Sequence, residues 1–273
     1  MKESRNERRA RMVAVYKDTM AMIKESRELS LAVKESKLGT KFYSIEPLER
    51  PNTSCSKETV VTVTGSRSFE AAVGLKARHP DKRVAVLNFA SATSPGGGVK
   101  SGSSAQEESL CRCSTLYPLL NRKVLREKYY NYNREQKNTL STDACIYTPG
   151  VKIIKSDTDQ PERLPENDWV DVDVITCAAP SFRHAAPLDD DPLYQLHLKR
   201  GRQILNVALA NGVDCLVLGA FGCGAFMNDP KVVASAYKQL MEEYRGAFDE
   251  VEFAVFYWGK EVQNYEIFKS VIG

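Results

Sequence analysis

Histidine is scarce in this chain: only His79, His184 and His197 occur among 273 residues, and no C-x-x-C spacing accompanies them. That shortage argues against a His-rich metal centre and against the usual zinc-binding patterns, so no metal and no other cofactor is expected. Long apolar runs are missing too, and none approaches the roughly 18 residues that a membrane-spanning helix needs. The opening MKESRNERRARM is charged throughout and lacks the apolar centre of a secretory signal. A cytoplasmic protein with no membrane partner is the expectation. Excess charge of one sign is also absent, since 38 Lys plus Arg face 35 Asp plus Glu. That balance does not suit direct nucleic-acid reading, although it leaves room for a small anionic ligand. The cysteines at 55, 111, 113, 145, 177, 215 and 223 are odd in number and scattered. They suit free thiols in a reducing compartment better than a disulfide framework.

The chain does hold the material of a folded core, with 42% hydrophobic and 27% charged residues. Residues 1 to 36 carry Met12, Val15, Met20, Ile23 and Leu31 among many charges, a helical pattern with few breakers. Gly39 to Ser56 contains Pro47, Pro51 and Asn52 and is expected to be irregular. From there strands and helices alternate. Thr59 to Thr64 reads as a β-branched strand, Phe69 to Arg78 as a helix capped by Ser68, and Val84 to Leu87 as a buried strand. Residues 121 to 142, with Tyr129-Tyr130-Asn131-Tyr132, read as a helix plus a polar, solvated face. Ile146 to Thr148 and Val151 to Ile154 flank Pro149-Gly150 like a hairpin, and Val170 to Thr176 reads as a strand. Asp189-Asp190-Asp191 suits a helix cap and dipole complement rather than a metal site. Cys215 to Leu218 and Val251 to Tyr257 read as strands, with Asp229-Pro230 opening a helix between them and Asn264 to Val271 a closing helix. This order predicts a three-layer α/β/α sandwich around a largely parallel or mixed sheet. It forms one domain, residues 57–273, preceded by a helical extension, residues 1–56, packed on or leading into it.

Two glycine-rich loops each follow an expected strand and precede an expected helix: Gly96-Gly97-Gly98, and Gly219 to Phe226 with Gly222 and Gly224. In such a sheet they are placed to converge, and exposed backbone N–H groups there suit a diphosphate. Neither carries the Lys-Ser or Lys-Thr of a Walker A loop nor matches G-x-G-x-x-G, which argues against a kinase or a hydride-transfer dehydrogenase. Seven residues after the first loop stands Gln106-Glu107-Glu108. Ser104 and Glu107 have the spacing of a capping box, so Glu107 suits either a cap or a ligand contact. Adjacent helical residues point about 100° apart, so one glutamate is expected to face a ligand while the other supports it. Glu108 has no capping role and is the better catalytic candidate. A helix N-terminus lowers a carboxyl pKa, whereas a general acid must keep its proton, and burial would have to oppose the dipole.

The pattern GGG, seven residues, QEE resembles the catalytic signature of poly(ADP-ribose) glycohydrolases. LNFASATSPGGG and AQEESLCRCSTLY are similar to the bacterial-type branch in particular. The likeness continues through Ala178-Ala179-Pro180 and GAFGCGAF, with departures at Ser181 and Val99-Lys100. It implies a macrodomain-like fold that binds ADP-ribose and a glycosidase that cleaves ribose–ribose O-glycosidic bonds from the free end of poly(ADP-ribose), without a metal. By position it implies Glu108 as catalytic acid and base, Glu107 on the terminal ribose hydroxyls, and Asn88 orienting that ribose. Gly96, Gly97, Gly98 and Gln106, together with Gly222, Gly224, Ala225 and Phe226, would form the rest of the substrate site, with Phe226 against the ribose. The implied partners are poly(ADP-ribose), ADP-ribose and ADP-ribosylated proteins, met by a monomer. Two other readings stay open at this point: a hydrolase of mono-ADP-ribose on proteins, and a non-catalytic ADP-ribose reader.

Overall fold

Val84–Phe89 sets the layering of the molecule. Val84 and Val86 join one buried apolar cluster, while Ala85 and Leu87 join another. Successive strand side chains point to opposite faces, so a strand that is apolar at four successive positions, Val84 to Leu87, needs cover on both sides. The computed structural model describes residues 3–52 and 58–273, and helices provide that cover.

The elements run α1 (Arg5–Glu25), α2 (Arg27–Gly39), β1 (Lys41–Tyr43), β2 (Val60–Thr64), α3 (Ser68–Arg78), β3 (Val84–Phe89) and α4 (Gln106–Cys113). Short helices α5 (Leu116–Leu120), α6 (Lys123–Leu125) and α7 (Tyr132–Glu135) lead to β4 (Cys145–Ile153) and β5 (Val170–Cys177). Then follow α8 (Asp190–Ala210), β6 (Cys215–Leu218), α9 (Pro230–Glu243), β7 (Glu250–Ala254) and α10 (Gln263–Ile272). The strands form a single mixed sheet in the order β1-β4-β5-β3-β6-β7-β2. The pairs from β5 to β2 are parallel, and β4 is antiparallel to both its neighbours. One face is covered by α1 to α5, the other by α8 to α10. The α/β/α sandwich is therefore the observed architecture. Because β3 and β6 are parallel neighbours, the loops leaving their C-terminal ends emerge side by side, where open α/β sheets place their ligands.

The N-terminal helices follow from their apolar spacing. Met12, Tyr16, Thr19 and Ile23 are the buried positions of α1, at intervals of four, three and four residues. Ser26 ends α1 and caps α2 with its hydroxyl. The extension is tied to the body by Lys155, a buried ammonium 2.8 Å from both Asp18 Oδ2 and the Val15 carbonyl.

Four expectations need correction. The stretch from Gly39 onward is not wholly irregular, because Lys41–Tyr43 pairs with β4 and brings the extension into the sheet. Its end and Cys55 lie outside the described residues. Ile146 to Ile154 is no hairpin, since both halves pair antiparallel with β5 around a bulge between Thr148 and Val151. Pro149 has no N–H for a ladder, and Gly150 takes φ +60° and donates its N–H to Asp173 Oδ1 at 2.9 Å. Tyr129 and Tyr130 are not on a solvated face: both are fully buried, with rings edge-on at 4.9 Å, on a π-helical turn. Finally, α3 is capped at Arg67 rather than Ser68, whose hydroxyl accepts from Gln106 Nε2 at 3.0 Å.

Candidate active site

The site begins at the end of β3. Asn88 pairs with Thr176 of β5 and is fully buried. Its Nδ2 donates to Thr176 Oγ1 at 3.2 Å and to Glu107 Oε1 at 3.4 Å, while its Oδ1 meets no donor among the described residues. The loop from Ala90 then turns through the three glycines into α4, whose N-cap is Ala105 and makes no side-chain cap bond. The helix starts one residue later than the capping-box spacing suggests. Glu107 consequently turns towards the strand end instead of back to Ser104, and its Oε2 accepts from the Ser91 N–H at 2.7 Å. The cap reading of Glu107 is thereby overturned.

Both glutamates are buried, and both line the same cavity of about 640 Å³. The expected divergence of adjacent helical residues is overcome by the side chains, which fold together over Gly97. A Cβ at that glycine would lie 2.5 Å from Glu108 Oε1 and 3.1 Å from Glu107 Oε2, and its φ of +54° is itself left-handed. Gly98 donates its N–H to Glu108 Oε1 at 2.8 Å, whereas Glu108 Oε2 has no hydrogen-bond partner among the described residues. Burial drives the Glu107 pKa up to about 8, with the charge of Glu108 adding to it and the Ser91 N–H and Asn88 amide opposing it. Glu107 is therefore protonated at neutral pH. The dipole of α4 does not override desolvation at this residue.

Gly97 donates to the Ser94 carbonyl at 2.9 Å. The first glycine loop thus uses its Gly97 and Gly98 amides on the protein, holding the glutamates closely. Gln106 is similarly engaged: its Oε1 accepts from Phe89 N–H at 2.8 Å, and its Nε2 donates to Ser68 Oγ and the Leu87 carbonyl. It staples the start of α4 to β3 and α3 while lining the cavity next to the glutamates.

The second loop supplies the free donors. The N–H groups of Gly222, Gly224, Ala225 and Phe226 find no acceptor among the described residues. Gly222, at φ +82°, closes against Asn228 and Ala179, where a Cβ would come within 2.7 Å of both. Buried Asn228 fixes the loop by donating to the carbonyls of Pro180 at 2.8 Å and Gly222 at 3.0 Å while accepting from His197 Nε2 at 2.9 Å. Burial lowers the His197 pKa to about 4, so this histidine is a neutral strut.

Ala225 and Phe226 line both the glutamate-side cavity and an adjoining one of about 530 Å³, which Gly224 also lines and whose walls include Phe89, Asp157, Phe256, Trp258 and Asn264. Arg67 stacks on Phe256 with its Cζ 3.9 Å from the ring centre. The arginines Arg5, Arg8, Arg9 and Arg183 line the glutamate-side cavity, and sequence reasoning assigned none of them to the site. A signal was present in α1, where Arg5 and Arg9 are four residues apart and share a helix face. Among the described residues no group of three or more His, Cys, Asp or Glu side chains is arranged to hold a metal ion. No described helix is long and apolar enough to cross a membrane. Chemically, the site joins a buried neutral carboxyl, a second carboxyl with a free oxygen, and a nest of unused amides that suits an anion.

Comparison with known proteins agrees with this geometry. Residues 11–156 match the family described as microbial-type PARG, catalytic domain. The structure is similar to that of the poly(ADP-ribose) glycohydrolase of Thermomonospora curvata, at 30% identity and a TM-score of 0.86, over 96% of this chain and 99% of that one. The same enzyme bound to the inhibitor ADP-HPD aligns with a TM-score of 0.84, at 30% identity and the same coverage of 96% and 99%. The Deinococcus radiodurans enzyme in complex with ADP-ribose is similar at 35% identity and a TM-score of 0.74, over 87% of this chain and 95% of that one. Among proteins with curated descriptions, none matches the chain.

Proposed function

Because the chain belongs to the microbial-type poly(ADP-ribose) glycohydrolase family, we propose that it removes ADP-ribose from the free end of poly(ADP-ribose) with Glu108 as acid and base. The observation that carries this reading is the unequal treatment of the Glu108 oxygens. Oε1 is fixed by the Gly98 N–H, and Oε2 is left without a partner beside the cavity. A carboxyl held by one oxygen and free at the other is oriented for proton transfer.

In this reading the terminal ADP moiety lies in the cavity of Phe256 and Asn264. Its diphosphate meets the unused amides of Gly222 to Phe226, and its ribose reaches Asn88 and Glu107, with Phe226 packed against it. Protonated Glu107 offers an O–H to a ribose hydroxyl and leaves Glu108 as the single negative charge of the pair once Glu108 has given up its proton. Glu108 gives its proton to the bridging oxygen as the bond from that oxygen to the ribose C1 breaks. The oxocarbenium-like carbon so formed is stabilised by the ionised Glu108 and the nearby diphosphate. Water then adds at C1 and returns a proton to Glu108. The products are ADP-ribose and a polymer one unit shorter.

Digestion of poly(ADP-ribose) by wild type and by Glu108→Gln, with ADP-ribose separated from oligomers, tests this directly. Wild type should release ADP-ribose and the variant should not. Normal release by Glu108→Gln would remove the assignment, and tight ADP-ribose binding without any turnover by wild type would favour a reader. Parallel assays on mono-ADP-ribosylated protein separate the polymer hydrolase from a mono-ADP-ribosyl hydrolase.

A further inference from the structure

We propose that Arg5, Arg9 and Arg183 form a subsite for the diphosphate of the neighbouring ADP-ribose unit, the one on the leaving side of the bond that is cut. This rests on the polymer-hydrolase reading above and extends it from the removed unit to the next.

All three arginines are exposed, and all three line the cavity that holds Glu107 and Glu108. None lines the adjoining cavity assigned to the terminal ADP moiety. Arg5 and Arg9 have no carboxylate or hydrogen-bond acceptor among the described residues, and Arg183 uses only its Nε, on the Ala225 carbonyl at 3.2 Å. Other arginines nearby are matched: Arg11 bonds Glu3 at 2.7 Å, Arg67 bonds Asp159 at 2.7 Å, and Arg8 lies 3.6 Å from the same Asp159. Among these neighbouring arginines, the ones without a carboxylate all line the glutamate-side cavity.

Their placement carries a local cost. Arg5 and Arg9 sit at the N-terminal end of α1, where the helix dipole disfavours cations. The helix is nevertheless held in position. Gly102 at φ +78° admits the Arg9 backbone so closely that a Cβ there would stand 2.4 Å from the Arg9 carbonyl oxygen. Unmatched, mutually repelling cations fixed beside a reaction centre call for an anion. The terminal diphosphate already has the second-loop amides. The next anion along the substrate belongs to the unit whose ribose oxygen leaves from Glu108, and that unit departs through this cavity.

The test uses wild type and the Arg5→Gln/Arg9→Gln variant, which keeps the Arg183 bond to the Ala225 carbonyl of the second loop. Initial rates on poly(ADP-ribose) are measured across polymer and salt concentrations, and free ADP-ribose binding is measured by calorimetry. The expected result is a KM for polymer raised roughly tenfold at low salt, with the loss falling on KM rather than kcat. The logarithmic salt dependence should flatten by about 0.7 for each phosphate contact removed. Affinity for ADP-ribose should stay at the wild-type value, because a single unit has no leaving-side neighbour. Unchanged KM and salt dependence would overturn the subsite. So would a parallel loss of ADP-ribose affinity, which would assign the arginines to the terminal unit. Failure of wild type to release ADP-ribose from polymer is a separate outcome and strikes the functional reading itself.

Discussion

Gly98 holds Glu108: the backbone N–H of one donates to Oε1 of the other at 2.8 Å, across a loop whose middle glycine has no room for a side chain. The glycine loop and the two glutamates are thus a single packed unit, in which glycine is required because carboxylate oxygens occupy the space that a Cβ would take. Gly97→Ala should displace the Glu108 carboxylate as well as strain a left-handed backbone. A displacement near 1 Å is enough for a loss of about 10²-fold in kcat, and the backbone strain adds a destabilisation of about 1–3 kcal/mol. Steady-state kinetics alongside thermal unfolding checks both. A variant with wild-type kcat would show that the loop yields and that the contact does not position the acid.

Glu107 predicts a pH dependence of stability. Its folded-state pKa of about 8 lies above the ordinary 4.5, so between these values the folded chain binds more protons than the unfolded one. Stability from this group is complete below pH 4.5 and is lost as pH rises through 8. Each tenfold difference in proton affinity corresponds to about 1.4 kcal/mol. Glu107→Gln removes that slope, so its melting temperature relative to wild type should rise from pH 5 to pH 8. Parallel curves for the two proteins over that range would contradict a buried, protonated Glu107.

Much of this was legible in the sequence, for identifiable reasons. The buried strand Val84–Phe89 and the turn Asp229-Pro230 announce themselves because period and capping chemistry are local. Each glycine loop is visible as the end of an expected strand, and the pairing of β3 with β6 brings the two together. What escaped depends on tertiary packing. A one-residue shift in the start of α4 decides whether Glu107 caps a helix or faces Asn88 and Ser91. The bulge at Pro149-Gly150 looks like a hairpin until both flanking segments find the same partner strand. Arg5 and Arg9 read only as charges on the helical extension, since nothing nearby in sequence tells that α1 docks at Gly102.

Lys155 anchors that docking. Its ammonium is buried and meets Asp18, whose carboxyl is held well below the ordinary range chiefly by Arg163, with Lys155 also contributing. Asp18→Ala leaves the ammonium with the Val15 carbonyl as its remaining acceptor. Loss of a fully buried pair would cost more, but the Asp18 side chain is 36% exposed. Solvent screening reduces the expected destabilisation to about 1–2 kcal/mol. Since the Asp18 pKa is depressed, its contribution is present above the ordinary carboxylate range and fades as pH falls towards the lowered value. Urea unfolding of wild type and variant should therefore differ at pH 7 and converge in acid. A constant difference across pH would assign the loss to packing instead.

Asn228 gives a final test of the second loop. Its amide satisfies the carbonyls of Pro180 and Gly222 and the imidazole of His197, all buried, beside the N–H groups of Gly224 to Phe226, which have no acceptor among the described residues. Asn228→Ala strips these partners at once, and each buried group left unsatisfied costs about 1–3 kcal/mol. Part of that cost appears as lower stability. Relaxation of the loop should take the rest, because carbonyls that lose their donor turn towards water and carry the adjoining amides with them. ADP-ribose affinity is then expected to fall at least tenfold, the equivalent of about 1.4 kcal/mol, even at temperatures where the variant is fully folded. Calorimetric titration of ADP-ribose into folded Asn228→Ala distinguishes the two consequences. Retained affinity together with reduced stability would mean that the amides hold their geometry without Asn228, and that His197 and its partner serve the core alone.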